Sequence, residues 1–162
     1  MVCYEKNTLS EYLERLSARE PVPGGGSAAA FSAALGASLL SMVSRYSIGK
    51  GALRSVERRL EAGLVRTDKA RVFFIAMASQ DAQAYLNVVA ARKSGDKAAL
   101  KAANCAAAKV PRELIRVCRD LLKVVPFLKE YGNRYLVSDV IAAEVFLNAA
   151  VKAAQAMVEA NQ

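Results

Sequence analysis

The stretch "PVPGGGSAAAFSAALGASLLSMVS", Pro21 to Ser44, contains no charged residue, and its reading decides the fold. Pro21 and Pro23 hold the chain extended. Gly24 to Gly26 permit a tight turn, and Ser27 can cap a helix that follows. From Ala28 to about Ile48 the pattern is helical but apolar nearly all round, as in a helix that is buried or spans a membrane. The uninterrupted part, Ala28 to Ser44, barely reaches the shortest membrane span. Ser32, Ser38, Ser41 and Ser44 dilute it, while Gly36 and many alanines suit close helix packing. The reading is a central buried helix, with no membrane as partner.

Its flanks are helical too. "TLSEYLERL" opens a first helix with Thr8 as cap and Glu11 completing a capping box. After a break at "SIGKGALR", a long helix is predicted from about Leu53 to Lys93, with a drift near Gly63. Asp96 can cap a fourth helix that Pro111 would kink. A short helix from Pro126 would end on a left-handed Gly132, and Ser138 or Asp139 would cap a final helix to about Ala160. No convincing strand, repeat or linker interrupts this order. The fold class is therefore all-α: one domain over residues 1–162, a bundle of about five to six helices with long central ones. So much apolar helix face implies that a second copy covers part of it.

The 162-residue chain has a net charge of +8, a hydrophobic content of 54% and a charged content of 23%. That is globular composition. The positive field suits an anionic partner. The cations are dispersed and no nucleic-acid motif accompanies them, so nucleic acid is not expected. Three cysteines without a C-x-x-C pair, Cys3, Cys105 and Cys118, give no disulfide framework or zinc site; Cys105 and Cys118 read as core, and the compartment as the reducing cytoplasm. The N-terminus carries charges where a secretory leader needs an apolar run.

Histidine is absent. Acid–base chemistry near neutral pH must then rest on Asp, Glu, Lys, Tyr or Cys tuned by their surroundings. No metal site is expected. "PVPGGGS" is neither a Walker loop nor a dinucleotide fingerprint; it is either an amide cradle for an anion or a plain helix start. Lys50 either complements a helix end or meets a substrate carboxylate. Asp81 and Tyr85, at i and i+4, share a helix face; there Asp81 is a surface group or a carboxyl poised in a pocket. Asn133, Ser138 and Asp139 surround a helix start, where capping explains them without any function.

In combination these segments resemble a known family. "PVPGGGSAAAFSAALGASLLSMV", the "GK" at Gly49–Lys50, "DAQAY" at Asp81–Tyr85 and "GNRYLVSDVIAA" stand in the order and spacing of the formiminotetrahydrofolate cyclodeaminase / methenyltetrahydrofolate cyclohydrolase family. The resemblance implies an all-helical homodimer with a tetrahydrofolate derivative as substrate, bound near the subunit interface without a cofactor. It implies closure of formiminotetrahydrofolate to methenyltetrahydrofolate with loss of ammonia, or hydrolysis of methenyl- to formyltetrahydrofolate. The alternative is a folate-binding or regulatory protein on the same scaffold. Carried over by motif, the catalytic candidates are Lys50, Asp81 and Asp139, and the substrate-binding candidates Gly24, Gly25, Gly26, Ser27, Tyr85, Asn133 and Ser138. Two positions depart from the family pattern: Tyr135 and Met157 stand where asparagines are usual.

Overall fold

The computed structural model describes residues 2–50 and 53–160. Those residues form six α-helices and a single 3-10 turn, with no strand among them. The first helix, α1 (Leu9–Ser17), starts on the expected capping box: the Glu11 N–H donates to Thr8 Oγ1 (3.2 Å) and the Thr8 N–H to Glu11 Oε2 (2.7 Å). It buries Tyr12, whose ring packs edge-on to Tyr4 at 5.4 Å and against Phe31 at 4.4 Å.

The apolar stretch becomes α2 (Gly25–Ser47), the axis of the bundle. It is long and apolar enough to cross a membrane, but that apolar surface is spent on its neighbours. Ala33, Ala37, Leu40 and Val43 are fully buried. Its serines remain satisfied inside the core. Ser38, Ser44 and Ser47 donate to the carbonyls four residues back at 2.6–2.8 Å, and Ser41 bonds Thr67 of the next helix at 2.8 Å. Helix α2 starts three residues earlier than the sequence suggests, on Gly24, which has no side chain to offer as a cap. Ser27 is thus not the cap but a residue of the first turn.

Helix α3 (Arg54–Ser94) runs unbroken through Gly63, and α4 (Lys97–Leu122) runs through Pro111, which is buried. Asp96 caps α4 as expected, accepting from the Ala98 and Ala99 N–H groups at 2.8 and 3.1 Å. Helix α5 (Val125–Tyr131) ends at Gly132, which is extended (φ −76°) and not left-handed. Glycine is needed there for space: a Cβ would strike the Leu128 carbonyl oxygen. The 3-10 turn Arg134–Leu136 leads directly into α6 (Val137–Ala160). Neither Ser138 nor Asp139 caps a helix; both lie in the first turn of α6, and the side-chain cap is Asn133 on the preceding 3-10 turn, where it accepts from the Tyr135 N–H at 3.0 Å. Of the cysteines only Cys118 is core, with burial pushing its thiol up to about 12; Cys3 and Cys105 are exposed.

Helices α3 and α6 flank α2, and α4 closes the bundle against both. Helix α6 runs antiparallel to α2: Ser32 Oγ donates to the Phe146 carbonyl (3.0 Å), and Gly36 lies beside Ala143 and Leu147. A Cβ on Gly36 would sit 2.9 Å from Leu147 Cγ and 3.0 Å from the Ala143 carbonyl oxygen. Neither neighbour is a loose side-chain end. Gly36→Ala therefore forces α2 and α6 apart, and chemical denaturation should show a loss of about 1–3 kcal/mol.

Candidate active site

Asp81 lies in the third quarter of α3, where the helix crosses the N-terminus of α2. The contact is close enough that a Cβ on Gly26 would fall onto the Asp81 carboxylate. The Ser27 N–H donates to that carboxylate, which holds its pKa down. Burial outweighs this and raises the carboxyl above its ordinary value of 3.8. A carboxyl in this state can hold a proton at higher pH than a surface aspartate, as a general acid or base requires.

The turn that receives Asp81 is braced from behind. Ser27 Oγ donates to the Gly24 carbonyl at 3.0 Å, so its single proton is committed and Tyr12 must be the donor in the 2.9 Å Tyr12–Ser27 contact. The Val22–Pro23 peptide on its approach is cis. The N-terminal segment straps across α3 beside it, with the Tyr4 N–H donating to Ser79 Oγ at 2.9 Å and the Val2 N–H to Gln83 Oε1 at 3.3 Å.

In front of Asp81 lies a cleft of about 400 Å³. Its walls include Pro21, Val22, the glycine turn and Tyr85, with Val88 and Ala107 on the α3–α4 side and Met157 on α6. A few polar groups in a mostly apolar hollow is the usual form of a small-molecule site. A larger depression of about 660 Å³ lies between α3 and α4. Its Arg116, Asp120 and Lys123 already pair with one another at 2.7–3.3 Å, and no raised carboxyl faces it.

The structure brings together only part of the sequence-derived set. Gly24, Gly25, Gly26, Ser27, Asp81 and Tyr85 meet at one end of the bundle. Lys50 follows the other end of α2, and Asn133, Ser138 and Asp139 stand at the start of α6, where the Asn133 N–H donates to Ser47 Oγ at 2.8 Å. With a rise of 1.5 Å per residue, Gly26 and Ser47 stand about 30 Å apart along α2. Within one protomer Asp81 and Asp139 therefore lie toward opposite ends of α2. Motif order carries no information about which end of a helix a residue occupies. Conversely, it did not single out Arg92 or Asn104, both of which line the Asp81 cleft. The available signal was spacing: Asp81, Tyr85, Val88 and Arg92 recur at i, i+4, i+7 and i+11, which is one helix face. Met157, noted only as a departure, stands over the turn, its methyl 3.4 Å from where a Cβ of Gly25 would be.

Residues 8–162 match the formiminotransferase-cyclodeaminase family. The chain belongs to that family. Among curated proteins it is similar to the methenyltetrahydrofolate cyclohydrolase of Methylorubrum extorquens, with 32% identity over 163 residues that cover 95% of this chain and 78% of the relative. Among solved structures it is similar to the formiminotetrahydrofolate cyclodeaminase of Thermotoga maritima. That likeness has a TM-score of 0.92 and 30% identity, and it covers 97% of this chain and 79% of the other. The helical architecture is shared with that solved structure, and Asp81 is seated against the glycine turn at the start of α2. Among the described residues no group of three or more Cys, Asp or Glu side chains could hold a metal ion.

Proposed function

We propose that this family member is an enzyme acting on the one-carbon bridge of tetrahydrofolate. It closes formiminotetrahydrofolate to methenyltetrahydrofolate with release of ammonia, or hydrolyses methenyl- to formyltetrahydrofolate. The observation that carries the proposal is Asp81: a half-buried carboxyl seated against the glycine turn and facing a cleft of about 400 Å³, with burial raising its pKa. Both reactions pass through a tetrahedral carbon and require one proton taken from a nucleophile and one given to a departing nitrogen. In the first, the bridge nitrogen attacks the formimino carbon, its proton is removed, and ammonia leaves protonated. In the second, water attacks the methenyl carbon, loses a proton, and a ring nitrogen is released. A carboxyl that takes the proton in one step can return it in the next. The carbon's oxidation state is unchanged in either direction, so the reaction itself calls for no redox cofactor. The protein is read as a cytoplasmic one.

A homodimer completes this reading. Gly25, Ala28, Ser32, Leu35, Leu39, Met42 and Tyr46 form an uncharged stripe along α2, with Leu35 56% exposed at its centre. Ile141 and Val145 extend it onto α6, Val145 being 60% exposed. A two-fold axis through the middle of this stripe would set two α2 helices antiparallel. The Lys50 and Asp139 end of one copy would then approach the Asp81 cleft of the other, reuniting the motif residues across two chains. Val145→Asp places a charge in the stripe. Sedimentation should show monomers, and turnover should fall more than about tenfold because each cleft loses the partner's groups. A fully active monomer would refute the shared cleft.

Purified protein offered formimino- and methenyl-folates separately gives the deciding assay. Ammonia release with a gain of methenyl absorbance identifies the deaminase; loss of that absorbance identifies the hydrolase. Folate binding with no turnover of either compound would instead favour the non-catalytic alternative.

A further inference from the structure

Among the described residues, Asp81 and Arg92 are the only charged ones lining the cleft. They stand on the same face of α3, eleven residues apart, which is about 16 Å along the axis. Helix side chains lean toward the N-terminus, so an arginine at this position can reach back roughly 6 Å of that distance. The p-aminobenzoyl ring of a folate and its amide-linked glutamate cover about 10 Å between bridge nitrogen and carboxylates. A folate with its bridge nitrogen at Asp81 would bring its glutamate carboxylates within reach of Arg92.

Arg92 is exposed, and among the described residues no ion pair or side-chain hydrogen bond occupies it. The acidic residue nearest in sequence, Asp96, is committed to capping α4. Asn104 lines the same end of the cleft from α4. Lys101, one turn before Asn104, shares its helix face and adds a second exposed cation.

We infer that Arg92 is the carboxylate-binding residue of the cleft, assisted by Asn104 and Lys101, and that it selects substrates bearing an amide-linked glutamate. The inference rests on the folate reading above. It gives the cleft a polarity: the reacting carbon at the Asp81 end and the anionic tail at the α3–α4 turn. Arg92 also lies in the last turn of α3, where a cation is favourable for the helix alone, so the test must separate binding from folding.

The test compares wild type, Arg92→Gln and Arg92→Lys on the glutamyl substrate and on the same pteroate lacking its glutamate. Losing a charged hydrogen bond to a carboxylate should raise KM for the glutamyl substrate about ten- to a hundredfold in Arg92→Gln. The kcat should stay within about twofold, and kcat/KM for the tail-less substrate should not change. Arg92→Lys should recover part of the affinity, and Lys101→Gln should show a smaller KM effect of the same kind. Equal losses on both substrates, or no loss on either, would overturn the assignment. Should the wild type turn over neither folate, calorimetric titration with p-aminobenzoylglutamate decides the point independently. Weaker binding by Arg92→Gln keeps the clamp while the reaction is abandoned. Equal binding by both proteins, or none by the wild type, removes the clamp.

Discussion

Asp81→Asn should lower kcat by about a hundredfold or more while leaving the protein folded. The substitution keeps the shape of the side chain and an oxygen able to accept from the Ser27 N–H, but it cannot exchange a proton. The variant also separates chemistry from stability. Burial raises the Asp81 pKa above 3.8, so the folded state favours the protonated carboxyl and pays for ionising it. The stability this group contributes is fully present below 3.8 and is lost as pH rises through its folded-state pKa. An uncharged amide escapes that loss. Thermal melts at neutral pH should therefore find Asp81→Asn at least as stable as wild type, with the difference vanishing as pH falls below 3.8. In the wild type, the acid limb of the kcat/KM profile should lie above the ordinary aspartate range, and the variant should lack it. A variant that keeps wild-type turnover would remove Asp81 from the reaction. One that is clearly less stable at neutral pH would mean the carboxylate is held by a favourable partner and is not burdened by burial.

The glycine turn supplies the second large effect, and its three members should differ. A Cβ on Gly26 would coincide with the Asp81 carboxylate, one on Gly25 would make ordinary contact with the Met157 methyl at 3.4 Å, and one on Gly24 would meet nothing within 4 Å. Gly26→Ala must push the carboxylate off the Ser27 N–H. A displacement of about an ångström at a reacting group is enough to cost roughly a hundredfold in kcat. Gly25→Ala and Gly24→Ala should stay within about threefold of wild type, because steric clearance for Asp81 is not at stake in either. This gradient discriminates between two uses of the turn. If its bare amides instead cradle an anionic group of the substrate, all three alanines should raise KM together and the gradient should disappear.

Most of the fold was legible in the chain. The reason is that its local signals agree: a capping box at Thr8 and Glu11, an aspartate cap at Asp96, and a helix apolar on every side that had to become the axis. The errors were at helix ends. Ser27, Ser138 and Asp139 look like caps by residue type, but α2 starts on Gly24, and Asn133 caps the 3-10 turn that leads into α6. Gly132 was read as a left-handed cap when it serves only to clear the Leu128 carbonyl. Capping preference is a tendency of residue types, and tertiary contacts at a helix end decide which neighbour uses it.

The candidate site was legible only in part. Sequence alone determined that this is a helical protein without histidine, that any proton chemistry rests on Asp, Glu, Lys, Tyr or Cys, and that its motifs resemble those of a folate-enzyme family. Those conclusions depend on which residue types occur and in what order. Only the tertiary structure decided that Asp81 lies against Gly26 while Lys50 and Asp139 stand toward the far end of α2. It also brought Arg92 and Asn104 into the cleft. Helix direction and the crossing of α3 over the start of α2 set those distances, and both arise from packing between segments far apart in the chain.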